Sequence, residues 1–253
     1  MQTDLVKYIL QLADNSLIYG HRLSEWCGHG PALEVDMALS NIALDNIGAA
    51  RSFYQYAAEL EGEGRTEDTY PYTRDSREFK NVLLVEMPNG NFADTMARAL
   101  YFDAFQFHFY TALKNSSDER LASIAEKSLK EVTYHLRFSS EWVVRLGDGT
   151  EESKQKMQQG INQFWEYTGE LFSASDFETT LQASGIAVDL TTLKSLWEKT
   201  IADTLEEATL VFPMHVEGAW FQSGGKKGIH TEYFGYILAE LQYLQKSYPN
   251  SEW

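Results

Sequence analysis

The chain has 253 residues, 37 acidic against 21 basic, and a formal net charge of −16, a length that suits one large domain or two small ones at roughly 100–200 residues per domain. The single cysteine, Cys27, excludes an internal disulfide framework or a CxxC-type metal site and fits a reducing cytoplasm. No apolar run approaches the roughly 20 residues of a bilayer span, MQTDLVKYIL does not read as a leader, and the acidic surface repels phosphate backbones, so neither membrane nor nucleic acid is expected.

Apolar and small residues recur at spacings of three and four nearly throughout. Leu5, Ile9, Leu12, Ser16, Tyr19, Leu23 and Trp26 mark a first helix, broken by CGHGP. Val35, Leu39, Ile42, Asn46, Ala49, Phe53, Tyr56 and Leu60 mark a second. A polar loop over 61–75 follows, then a short apolar segment, 79–85, with no decisive period. The turn chemistry of Pro88, Asn89 and Gly90 introduces a third long helix over 92–113. Residues 115–119 form a loop with an N-cap, and the next helix ends at GDG, 147–149. Thr150 caps a fifth helix, whose stripe runs from Met157 to Phe172. Ser175 and Glu178 match a capping box, Gly185 closes that short helix, and Asp189 caps another that ends near Leu210. A Gly-rich loop, 223–228, precedes a last helix with Tyr233, Ile237, Leu241, Leu244 and Tyr248. The pattern predicts an all-α chain, a single domain over 1–253 built as a long-helix bundle with a helical C-terminal extension.

Polar residues on apolar stripes are the informative ones. Asp103 lies among Met96, Ala99, Leu100 and Phe107, so its carboxylate points inward. His135 follows Ile124, Ser128 and Val132 on one face. A carboxylate and an imidazole on core helices suit a non-haem iron or manganese centre, and an Asp–His hydrogen bond would satisfy both groups with no metal. A di-iron bundle needs a Glu from each of two helices plus Glu-x-x-His from each of two more. No Glu-x-x-His occurs in the chain; three residues before His135 stands Val132, and Glu131 is turned about 100° off that face.

The segments RLSEWCGHGPALEVDMALSNIALDNIGAAR, LLVEMPNGNFADTMAR, KEVTYHLRFSSEWVVRLGDG, KMQQGIN and GGKKGIHTEY resemble the C-type subunits of the bacterial ring-1,2-phenylacetyl-CoA epoxidase, a multicomponent monooxygenase of phenylacetate catabolism. The resemblance covers essentially the whole chain. It implies a ferritin-like fold and a noncatalytic subunit that scaffolds a homologous catalytic subunit, the carrier of the di-iron centre. It also implies a reductase holding FAD and an iron–sulfur cluster, and a small additional subunit, with no cofactor on this chain. In the catalytic relatives the segment like KEVTYH reads Lys-Glu-Glu-x-x-His. Asp103 and His135 therefore resemble remnants of a ligand set, Val132 stands at a lost Glu position, and Leu17 stands where the relatives' first helix has its Glu. The competing reading is an independent metal-dependent oxidase with an unusual ligand set.

Other features carry less. No GxSxG, P-loop or GxGxxG stands in a strand–turn–helix context. Cys27 with His29 reads as a tight interhelical turn before a thiol nucleophile. The aromatics read mainly as core, otherwise as a platform for a phenyl ring or a partner helix. The acidic residues Glu59, Glu61, Glu63, Glu67 and Asp68 read as a solvated face. Lys226 and Lys227 form a basic pair beside Gly224, Gly225 and Gly228, just before a helix N-terminus. The pair is read three ways: a plain turn, a contact to an acidic patch on a partner subunit, or a contact to a phosphate of phenylacetyl-CoA.

Overall fold

The computed structural model describes residues 2–213, 221–249 and 251, and among them there are ten α-helices and no strand. The all-α expectation is met. The chain divides into two compact units, Met1–Pro88 with Gly224–Trp253, and Asn89–Ser223.

In the first unit, α1 (Gln2–Ser24) and α2 (Leu33–Glu61) pack along their lengths, followed by the short α3 (Thr69–Thr73) and α4 (Leu83–Glu86). The C-terminal α10 (Glu232–Ser247) returns to cover α3 and α4. The helix α1 departs from the expected single stripe. Every residue from Gln11 to Gly20 is buried, Asp14, Asn15 and Ser16 included. Two of these polar side chains hold the segment that follows α3: Asn15 Oδ1 accepts from the Val82 amide at 2.8 Å and Asp14 Oδ2 from the Lys80 amide at 2.8 Å. The segment over 79–85 without a decisive period thus resolves into an extended stretch and the one-turn α4, preceded by a 3₁₀ turn at Ser76–Glu78. Its amides bond α1 side chains instead of a helix of their own, so no local period marks it.

In the second unit, α5 (Phe92–Leu113) packs against α6 (Glu119–Gly147), α7 (Glu151–Trp165) and α9 (Leu190–Glu207), with α8 (Asp176–Gln182) between α7 and α9 in the chain. The predicted caps are in place. Thr150 accepts from the Ser153 amide, Ser175 from Glu178 and Asp189 from Thr191. The fifth helix is shorter than its stripe predicts. It stops at Trp165, where the Tyr167 and Thr168 amides switch to carbonyls three residues back, and a 3₁₀ turn, Gly169–Phe172, carries the rest. The helix expected to end near Leu210 ends at Glu207, before Thr209 at φ 56.

Candidate functional site

The core of the second unit holds the predicted remnant residues. Asp103 sits in the middle of α5 and is 1% exposed; on α6, His135 is 1% and Val132 3% exposed. Burial on α6 follows one face: Leu121, Ile124, Ser128, Val132, His135, Ser139 and Val143 are all buried. The inward orientation read from the stripes therefore holds for all three residues. Ser139 donates to the His135 carbonyl at 3.1 Å, a bond within the helix that satisfies its hydroxyl in the core.

A dinuclear iron centre requires about four carboxylates and two imidazoles. The donor set here, one buried carboxylate on α5 and one imidazole on α6 with an isopropyl group on the turn before it, does not fit that centre. Among the described residues no group of three or more His, Cys, Asp or Glu is arranged to hold a metal ion. In the first unit Leu17 is 6% exposed, and Asn46, the polar member of the α2 stripe, turns its amide back to the Ile42 carbonyl at 2.9 Å.

The first unit contains two polar clusters with partners far apart in sequence. In one, the fully buried Asp14 accepts from the Tyr54 hydroxyl at 2.6 Å, Arg74 Nη1 at 3.2 Å, Arg74 Nη2 and the Lys80 amide. Burial alone would lower the Arg74 pKa, but the Asp14 charge overrides it and raises it above the usual arginine value. Burial, then the Asp14 charge, raises the Tyr54 phenol well above its ordinary range. The guanidinium also lies over the Phe79 ring, 4.2 Å from its centroid.

The second cluster surrounds Glu86, which is fully buried. Its carboxylate accepts from the Thr231 amide at 2.6 Å and from Asn81 Nδ2 at 3.1 Å, and lies 2.9 Å from His230 Nδ1. Its carbonyl accepts from Arg22 Nε and Nη2 at 3.0 and 2.8 Å. Both His230 nitrogens face oxygen, the second being 3.1 Å from the Phe79 carbonyl. Thr231 is the N-cap of α10, so the anion at this helix start is the chain's own Glu86.

That arrangement bears on Lys226 and Lys227. Both lie in a 3₁₀ turn, Gly225–Lys227, with Lys226 half-buried and Lys227 exposed. The glycines do allow close backbone approach, but toward the chain itself. A Cβ at Gly225 would stand 2.1 Å from the Asn81 carbonyl and one at Gly228, φ 76, 2.2 Å from that of Arg77.

The remaining sequence features have plain structural roles. Cys27 is exposed in a turn, and His29 Nδ1 lies 3.1 Å from the Cys27 carbonyl. The acidic loop is only partly a solvated face: Glu61 accepts from the Tyr70 hydroxyl at 2.7 Å, and Glu67 from Arg51 and Gln55, each at 3.0 Å. Hydrogen bonds to its own amide and to Gln55 hold the Glu67 carboxyl below its ordinary value. Aromatic residues do fill both cores. In the second unit, Trp165, Phe172, Trp197 and Phe221 line a cavity of about 340 Å³.

A family model described as phenylacetic acid catabolic protein matches residues 1–253. The chain is 52% identical over 249 residues to the C-type subunit of the 1,2-phenylacetyl-CoA epoxidase of Escherichia coli (strain K12), covering 98% of this chain and 99% of the relative. It is also 29% identical over 161 residues to the A-type subunit of that epoxidase, 64% of this chain and 51% of the relative. The match spans the whole chain, including both buried clusters and the Asp103–Val132–His135 core, and the chain belongs to the family of phenylacetic acid catabolic proteins.

Proposed function

We propose that this chain is a noncatalytic structural subunit of a multicomponent di-iron monooxygenase that epoxidises the aromatic ring of phenylacetyl-CoA in phenylacetate degradation. The observation that carries this reading is a pairing: 52% identity to a C-type epoxidase subunit over 98% of the chain, with a core in which Val132 occupies the place a Glu-x-x-His would give its carboxylate. The chain acts as one ferritin-like domain over 1–253, in the cytoplasm. Its partner is a homologous catalytic subunit similar to the A-type relative, which carries the di-iron centre. A reductase with FAD and an iron–sulfur cluster completes the assembly, together with a small subunit.

The test has two arms. The chain purified alone is expected to hold far less than one iron per chain by elemental analysis and to turn over no substrate. Introducing Val132→Glu alone should not change this, because other ligand positions still lack carboxylates. Coexpressed with the catalytic subunit, the chain is expected to copurify and to be required for epoxidation. Two irons per chain, lost on His135→Ala, would instead establish the independent oxidase.

Lys226 and Lys227 contribute as a side-chain contact to an acidic patch of a partner. A phosphate cradle on the loop backbone is less favoured, because the Thr231 amide is engaged by Glu86 and the glycines pack on 77–83. Replacing both lysines with Ala should slow association with the catalytic partner and reduce its salt dependence, as loss of rim charge does. Intact assembly with a raised KM for phenylacetyl-CoA would move the assignment to a CoA phosphate.

A further inference from the structure

The aromatic residues of the second unit include a group that the core does not close up. Trp165 at the end of α7, Phe172 in the 3₁₀ turn, Trp197 of α9 and Phe221 line a cavity of about 340 Å³. That is the small end of the range for ligand sites, about 300–1,000 Å³. Its walls are held in place. Trp197 donates its indole N–H to the Tyr101 carbonyl at 2.9 Å and stacks on Trp165, ring centroids 5.8 Å apart at 28°, while Phe172 meets it edge-on at 5.2 Å. Phe221 lies directly on the 3₁₀ turn: a Cβ at Gly169 would stand 2.4 Å from its ring, and the next amide, that of Gln222, donates to the Glu166 carbonyl at 2.8 Å. A space of this size left empty among large apolar side chains costs stability.

The lining also carries one charge of each sign. Lys194 and Glu198 stand one turn apart on α9, with Nζ and Oε1 3.8 Å apart and the side chains half and about a third exposed. Such a pair contributes little to the fold, and a ligand that satisfies both members parts it readily. A carboxylate alone would meet Lys194 and be repelled by Glu198; an amine alone would meet the reverse; a neutral arene uses neither. A zwitterion with ammonium and carboxylate on one carbon meets both, and an aromatic ring on that carbon enters a space where edge and face contacts to rings are favourable. A coenzyme A thioester is several times too large for the cavity, so this is not a seat for that substrate.

We infer that the cavity is a binding site for a free single-ring aromatic α-amino acid, its carboxylate on Lys194, its ammonium on Glu198 and its ring among the four aromatic side chains. The site lies within one unit and does not rest on the proposed complex.

Titration of the full chain with L-phenylalanine tests it, by calorimetry and by tryptophan fluorescence, since Trp165 and Trp197 line the site. Saturable binding with a Kd of about 0.1–1 mM is expected for a ligand this small. Lys194→Met and Glu198→Gln should each weaken it at least about tenfold, as loss of a hydrogen bond to a charged group does, while shifting the melting temperature by only about 1–2 °C. Phe221→Ala, which removes one wall, should also weaken binding. Unchanged affinity in both charge variants overturns the assignment, as does the absence of saturable binding up to about tenfold above that range. Phenylacetate binding more tightly than L-phenylalanine, and more tightly still in Glu198→Gln, overturns it in favour of a plain aromatic acid. Toluene matching L-phenylalanine in every variant overturns it in favour of a bare apolar cavity.

Discussion

Asp14 shows what a single residue in a helix can organise. It lies 60 positions from Arg74 and 40 from Tyr54 in sequence, and no spacing rule joins them. Once buried, its charge must be met by donors, and Arg74, Tyr54 and the Lys80 amide meet it. Removing one partner leaves the other charge stranded. Arg74→Met should therefore cost about 3–5 kcal/mol, on the order of 6–20 °C in Tm for a chain of this size, while Asp14→Asn with Arg74→Met should recover much of the loss. Equal losses in single and double variants, measured by urea unfolding, would show that side-chain packing and not the ion pair is responsible. The remnant core is readable in a way this cluster is not. Asp103, Val132 and His135 sit on stripes whose period alone predicts burial, and the absence of Glu-x-x-His is a property of the sequence. Glu86 and His230, 144 positions apart, carry no such mark.

At the scale of elements, legibility follows how locally each one is stabilised. The helices α5 to α9 announce themselves through caps: Asn91, Asp118, Thr150, Ser175 and Asp189 each accept backbone amides of the first turn. Residue type alone marks their starts. The segment over 79–86 has no such mark, because Asp14 and Asn15 of α1 fix its backbone from a distance. The helix α1 departs from its stripe for the complementary reason. Buried through its central turns, it has no solvent face there to write a stripe, and its polar residues receive a neighbouring segment. The shortness of α7 has another cause. Apolar spacing continues through Leu171 and Phe172, but the chain tightens into a 3₁₀ turn, which keeps an i, i+3 pattern that periodicity does not separate from an α-helix. The α2 face gives the same lesson in reverse. Its buried stripe matches the predicted one from Val35 to Phe53 and then passes to Tyr54 and Ala57 in place of Tyr56 and Leu60, whereas its second apolar stripe, Leu33, Met37 and Leu44, is legible only in the structure, because spacing alone does not show which of two stripes the fold covers.

For the molecule as a whole, a net charge of −16 makes the response to acid a compound one, and two histidines allow it to be divided. Burial depresses the pKa of His21 in the first unit and of His108 in the second, where the ring lies 2.8 Å from the Thr200 hydroxyl. The unfolded chain carries histidines near the ordinary value of about 6.5, so just below that pH it binds more protons than the native state does. Stability then rises with pH through this window. The contribution is fully present above about pH 6.5 and is lost as pH falls toward the depressed native values. Carboxylates titrate lower, near about pH 4 in the unfolded chain, so measurements from about pH 7.5 down to about pH 5.5 isolate the imidazoles. Over that range the urea midpoint of the native chain should fall, and His21→Gln with His108→Gln should flatten the decline. An unchanged slope in the double variant would assign the acid response to other groups. Restoring stability at about pH 5.5 by added salt would not imitate the double variant, because screening acts on exposed charges far more than on the cost of protonating a buried ring.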